Sequence, residues 1–237
     1  MGSSMCMNRT TGQEIRLIFY SGTKNASSWS FRAWLALKEA GLAFDEVDIE
    51  LRLPVRQEAL ARIARFSPAA SVPALVDGET VVFDSLAIME YANELCGGRL
   101  LPGDAKGRAV ARSFLAWQHS EVGRICPALS FESVFYDDKR VPTATEQAGA
   151  ERLLAAWGDC LERSGGPYLM GSLSLADLGF VPTVMRVFSH VDVPARWGHV
   201  KAWMDALLQR PAVLEWMAQA TPLPPVRLPE YFGGGRG

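Results

Sequence analysis

The chain has 237 residues, of which 49% are hydrophobic and 21% charged, with a formal net charge of −2. This composition is globular and excludes a disordered, collagen-like or coiled-coil protein. The near-neutral charge argues against nucleic acid as the main partner; the length fits two modest domains or one large one, and a chain of this size buries about 70% of its unfolded surface, enough for a core.

Met1–Thr11 lacks the apolar stretch of a signal peptide and reads as a loose arm over residues 1–13. Glu14–Ser21 is short, apolar and β-branched, and predicts a strand. From Ser27 to Ala40 the apolar positions Phe31, Trp34, Leu35 and Leu37 recur at helical spacing, and Gly41 follows as a stop. Phe44–Leu51 alternates apolar and acidic residues, predicting a second strand. Pro54 opens a helical pattern to Phe66. Ala74–Asp77 and Thr80–Phe83 flank a Gly78-Glu79 turn and read as a hairpin. Asp84-Ser85 caps a helix running to Cys96, closed by Gly97-Gly98.

The character changes after Leu101-Pro102-Gly103-Asp104. Ala105–Asp138, Thr143–Ser164, Leu175–Val187 and Trp197–Met217 are helical by pattern, and strand signals nearly vanish. The expectation is an α/β domain over residues 14–100 and an all-α domain over 105–220. The Pro- and Gly-rich end, Thr221–Gly237, reads as an extended tail. No apolar run reaches the roughly 20 residues of a membrane span, so neither a membrane nor nucleic acid is expected as partner, and the location expected is cytoplasmic.

Conspicuous catalysts are scarce. There are 3 His and 4 Cys. Cys6, Cys96, Cys126 and Cys160 form no Cys-x-x-Cys, which fits scattered reduced thiols rather than a metal site or a disulfide framework.

Three local signals carry chemistry. Val72-Pro73 opens a strand. The proline is either an ordinary trans residue at an edge or a cis peptide, which would turn the backbone of Val72 outward to pair with a short peptide. Asp84-Ser85 stands at a helix start. There the hydroxyl and unsatisfied N–H groups suit a carboxylate and the aspartate suits an ammonium, although simple capping explains both residues as well. Asn25-Ala26-Ser27-Ser28 precedes the first helix, where polar donors can stabilise an anion or merely cap.

Taken in order, Asn25–Lys38, Ser67–Val76, Phe83–Tyr91, Leu101-Pro102 and Ser174–Asp177 resemble the cytosolic glutathione transferase family, closest to its serine-type, zeta-like and bacterial members. The resemblance implies a thioredoxin-like α/β N-terminal domain followed by an all-α helical bundle, usually in a homodimer. It also implies glutathione as co-substrate, with no metal. Val72 would pair with the cysteinyl backbone, with Val72-Pro73 cis, and Asp84 and Ser85 would hold the γ-glutamyl end. The thiol would point at the Asn25–Ser28 turn. Counting back from Trp29 without gaps, the family's catalytic position falls on Asn25, with Ser27 and Ser28 just beyond, and the three remain alternatives. Ala70 stands where the family commonly has glycine. A small hydrophobic electrophile would lie between the domains against the long helix, with Phe114, Trp117 and His119 as candidate walls. Two other activities fit the same resemblance: a glutathione-dependent cis-trans isomerase or lyase like maleylacetoacetate isomerase, and a non-catalytic binding module.

Overall fold

The computed structural model describes residues 17–122 and 129–232. The expected arm at 1–13, the start of the first strand, Cys6 and Cys126 lie outside them. The chain divides into two compact units, Met1–Gly98 and Arg99–Gly237.

In the first unit a four-stranded sheet has the order β2-β1-β3-β4. The strands are β1 (Leu17–Gly22), β2 (Phe44–Ile49), β3 (Ala74–Asp77) and β4 (Thr80–Phe83). β1 and β2 are parallel, so their connection must cross over, and helix α1 (Ser28–Glu39) makes that crossing. β3 runs antiparallel to both β1 and β4. Alternation along β1 sorts the two faces. Phe19 packs edge-on to Phe44, which also meets Trp34 of α1. Tyr20, on the opposite face, meets Phe66 just beyond α2 (Arg56–Ile63). α3 (Ser85–Leu95) packs beside α1. The thioredoxin-like α/β arrangement expected from the sequence is the one observed.

The second unit is helical. Among the described residues its longer helices are α4 (Ala105–Trp117), α5 (Ala144–Ser164), α6 (Leu175–His190), α7 (Gly198–Leu208) and α8 (Pro211–Ala220). Trp157, buried on α5, packs on Phe180 of α6 at 5.3 Å and on Trp203 of α7 at 5.1 Å. Asp177 anchors the start of α6. It accepts hydrogen bonds from the Ser174 N–H and hydroxyl, the Leu169 N–H and the Trp203 indole. The Ser174–Asp177 motif is therefore a hub for three segments as well as a helix start.

Three expectations need correction. The expected helix over Ala105–Asp138 is, among the described residues, an α-helix to Trp117, one π-helical turn at Gln118–Val122 and a separate 3₁₀ turn at Glu132–Phe135, with residues 136–138 not helical; residues 123–128 lie outside the described ones. The helix expected over Trp197–Met217 is two helices, because the residue before Pro211 is pushed out of the helical region; Arg210 has ψ 137°.

The third correction concerns the end of the chain, which is not a free extended tail over residues 221–232. Residues Pro229–Phe232 form a helical turn and Tyr231 is buried. Tyr136 donates to the Val226 carbonyl at 2.6 Å and accepts from the Leu228 N–H at 2.9 Å. Arg140 donates to the Tyr231 carbonyl and pairs with Glu146, while the Arg140 N–H and His190 both reach the Tyr231 hydroxyl. Composition cannot show that one buried aromatic fastens an otherwise loop-like segment.

Candidate functional site

Strand register decides which loops meet. Tyr20 of β1 lies opposite Ala74 of β3, and Ala74 lies opposite Phe83 of β4. The loop after β1, the Val72-Pro73 approach to β3 and the Asp84-Ser85 exit from β4 therefore all leave the sheet at the same end. Three segments separated by up to sixty residues become neighbours through backbone pairing alone.

Gly22 marks the point of closest approach. A Cβ placed on it would lie 2.9 Å from the Ser27 Cβ, 2.9 Å from the Val72 Cγ2 and 2.6 Å from the Leu51 Cδ1. Only glycine leaves room for the helix start and the strand approach to close on each other here.

Ser27 is the N-cap of α1. Its oxygen accepts from the Ser30 N–H at 3.2 Å, and its hydroxyl donates to the Ser30 Oγ at 2.8 Å. The Ser30 Oγ in turn accepts from the Gly22 N–H at 2.9 Å. Thus Ser27, one of the three sequence candidates for the thiol, is engaged in tying helix to strand. Ser28 is the first residue of the helix and is half-buried, while Asn25 is fully buried in the preceding turn. Lys24 pairs with Glu46 of β2, and Thr23 bridges to the Glu50 carboxylate and the Leu51 N–H, each at 2.8 Å. These contacts tie the turn to β2 and the segment that follows it.

The Val72-Pro73 peptide is cis. Val72 is half-buried and Pro73 buried, immediately before the first paired residue of β3. Ala70 has φ 48°, the left-handed conformation that glycine takes without cost. The position where the sequence departs from the family's glycine is thus one where glycine's freedom has a use.

Asp84 is exposed, has φ 72°, and caps α3 through a 2.7 Å bond from the Leu86 N–H. Non-glycine residues held at positive φ concentrate at ligand clamps. Ser85 is buried. Its Oγ accepts from both Nε and Nη2 of Arg32, at 3.0 and 2.8 Å. Arg32 belongs to α1 and is fully buried, its guanidinium 4.5 Å from the centre of the Trp29 ring. Burial lowers its pKa to about 10, partly opposed by the Asp84 charge, so it is still a cation at neutral pH. Sequence reasoning missed Arg32. The available signal was a charged residue inside the otherwise apolar run Phe31–Leu37, on the face that helical periodicity assigns to the core.

The candidate wall residues belong to the second unit. Phe114 and Trp117 are half-buried on α4 and pack edge-on against Phe180 of α6, at 6.2 and 6.0 Å. Phe114 also lines a cavity of about 510 Å³ with Val110, Cys160, Leu169 and Met170. His119 is half-buried on the π-helical turn. Cys160 is no nucleophile: its thiol donates to the Leu169 carbonyl, and burial raises its pKa to about 11.

Comparison with known families fits this arrangement. The profile of the glutathione S-transferase N-terminal domain matches residues 26–95, and that of the C-terminal domain matches residues 130–220. The chain belongs to the glutathione S-transferase family. It is 30% identical over 214 residues to the glutathione S-transferase-like protein OpS6 of Beauveria bassiana, covering 85% of this chain and 93% of that protein. It is 33% identical over 174 residues to maleylacetoacetate isomerase of Mus musculus, covering 70% of this chain and 76% of the isomerase. Among solved structures, a glutathione transferase homolog from Burkholderia gl BGR1 with bound glutathione superposes with a TM-score of 0.65 at 24% identity, covering 87% of this chain and 98% of that one. An epsilon-class enzyme from the housefly Musca domestica superposes with a TM-score of 0.70 at 20% identity, covering 87% and 94%. At these identities the two structures support the fold alone.

Proposed function

We propose that this family member is a glutathione transferase that binds glutathione on its α/β unit, stabilises the thiolate and adds it to a small apolar electrophile. The observation that carries the proposal is the register-driven meeting of a helix N-terminus, the cis Val72-Pro73 approach and the Asp84-Ser85 exit at one end of the sheet. A strand approach suits a peptide backbone, and a helix start beside a carboxylate suits a zwitterionic head group.

The remaining task is to ionise a thiol at neutral pH. A free thiol with a pKa of about 8.5 is a few per cent ionised at pH 7. Lowering that pKa by two units needs about 2.7 kcal/mol of preference for the thiolate. One hydrogen bond to the charged sulfur supplies about 1.5–3 kcal/mol, and the α1 N-terminus about 0.3–1 kcal/mol. No histidine or cysteine is required. We assign the donor role to the half-buried Ser28, and to Ser27 and the fully buried Asn25 the role of holding the turn. Phe114, Trp117 and His119 are proposed contacts of the electrophile, and the homodimer and a cytoplasmic location are further parts of this reading.

Difference ultraviolet titration of bound glutathione tests the proposal directly. The bound thiol should titrate about two units below the free one. Ser28→Ala should raise that value, while Ser27→Ala and Asn25→Ala should act chiefly on stability. An unshifted thiol would reduce the chain to a binding module. Maleylacetoacetate isomerases among the relatives favour a second reading, a glutathione-dependent isomerase. Turnover that leaves the glutathione concentration unchanged would select it; stoichiometric loss of thiol selects the transferase.

A further inference from the structure

Resting on the glutathione reading, we propose that Arg32 is a positioning residue: by filling the acceptor side of the Ser85 hydroxyl it makes that hydroxyl a donor only, and so selects a carboxylate at the start of α3.

The argument is one of hydrogen-bond valence. A serine hydroxyl carries one proton and two acceptor lone pairs. Nε and Nη2 of Arg32 form a rigid fork, and both donate to the single Oγ of Ser85. With the acceptor side occupied, the hydroxyl proton is what Ser85 can still offer. Among the described residues no acceptor receives it. An ammonium or amide N–H arriving at this point would find no lone pair, whereas a carboxylate oxygen finds a donor. The same guanidinium is fully buried, so its charge lies in a poorly screened region and adds to the α3 N-terminus in favouring an anion. The Trp29 ring lies across the guanidinium and fixes its plane, which a lysine ammonium could not replicate. Exposed Asp84, the N-cap of the same helix, provides for the ammonium end while its charge also acts on the Arg32 guanidinium. The two charges of a γ-glutamyl group are thereby told apart by two adjacent residues, one of which acts only because of an arginine 53 positions earlier in the chain.

A binding cycle tests this on the whole protein. Calorimetric affinities for glutathione and for γ-aminobutyryl-cysteinyl-glycine, which lacks only the γ-glutamyl carboxylate, would be measured for the wild type, Ser85→Ala, Arg32→Lys and the double variant, with folding checked by circular dichroism. The wild type should prefer glutathione by about 10- to 100-fold, the range of one charge-assisted hydrogen bond. Ser85→Ala and Arg32→Lys should each reduce the preference several-fold, and Arg32→Lys should have no further effect in the Ser85→Ala background. A structural role for Arg32 would weaken both ligands equally and leave their ratio intact, which would overturn the inference. So would a full additional loss in the double variant, since the charge would then act without Ser85. If Arg32→Lys does not fold, an unchanged ratio in Ser85→Ala alone suffices to refute it. A wild type that binds neither ligand would instead refute the glutathione reading itself.

Discussion

Gly22→Ala is the most telling perturbation of this fold, because it strikes structure and site through the same atoms. The added Cβ would stand 2.6 Å from the Leu51 Cδ1 and 2.9 Å from both the Ser27 Cβ and the Val72 Cγ2. Carbon atoms settle at about 3.5–4.0 Å, so each neighbour must retreat by roughly 0.6 Å or more. The Leu51 methyl can swing aside. Ser27 is held by its capping bonds, and Val72 is β-branched and followed by Pro73, so neither can move alone. Overpacking of this kind costs about 1–3 kcal/mol, equivalent to a fall in melting temperature of about 2–12 °C for a chain of this size. The displaced atoms belong to the turn and strand approach assigned to glutathione, so the KM for glutathione should rise about tenfold or more as alignment is lost. Thermal unfolding and steady-state kinetics read the two effects. Gly98→Ala is the control: its φ of +80° brings strain, but no atom lies within 4 Å of the new Cβ, so stability should fall with KM unchanged. Wild-type melting temperature and KM in Gly22→Ala would refute the claim that the three loops close on this residue.

Other predictions follow from the same geometry. Ala70→Gly should be neutral or stabilising by up to about 1 kcal/mol in chemical denaturation, since glycine relieves a left-handed alanine and returns part of that gain as unfolded-state entropy; a larger destabilisation would contradict the observed φ. Asp177→Ala would strand the Leu169 and Ser174 N–H groups and the Trp203 indole, a loss of about 3–5 kcal/mol that a urea titration would register. His190 supplies a pH dependence. Burial, with Lys139 and Arg140 adding to it, holds its pKa below the ordinary 6.5, against the opposing Arg186 carbonyl and Glu146. The folded protein therefore binds the proton less readily than the unfolded chain. This contribution is complete above pH 6.5 and is lost as the pH falls from there through the folded value. His190→Gln should flatten the stability profile just below pH 6.5. The loss at lower pH would remain, because pairing with Arg140 depresses the Glu146 pKa below 4.5 and that pair fails only in stronger acid. An unchanged slope just below pH 6.5 would exclude His190 as the titrating group.

Much of this protein is legible from one strand of text. Period-two and period-3.6 patterns, the Gly78 turn and the Asp84, Thr143 and Ser174 helix starts each depend on residues within a few positions of one another. Element order and the family resemblance therefore followed from sequence alone. So did the cis peptide at Val72-Pro73 as one of two alternatives. The break between the last two long helices has a local cause too, at Pro211, that apolar periodicity overrode.

What the sequence could not supply were relations between distant positions. It presented Ser27, Ser28 and Asn25 as equivalent donors; only packing showed that the Ser27 hydroxyl meets Ser30 and that Asn25 is buried. It presented Ser85 as a hydroxyl at a helix start, without Arg32 beneath it. It presented the end of the chain as a tail, although Tyr231 is held by Arg140 and His190. Local patterning fixes which elements form, because a helix or strand is stabilised largely by neighbours in the chain. The chemistry of a site depends on which lone pairs and protons are already taken. Strand register and side-chain packing settle that, by bringing together residues that no short window contains.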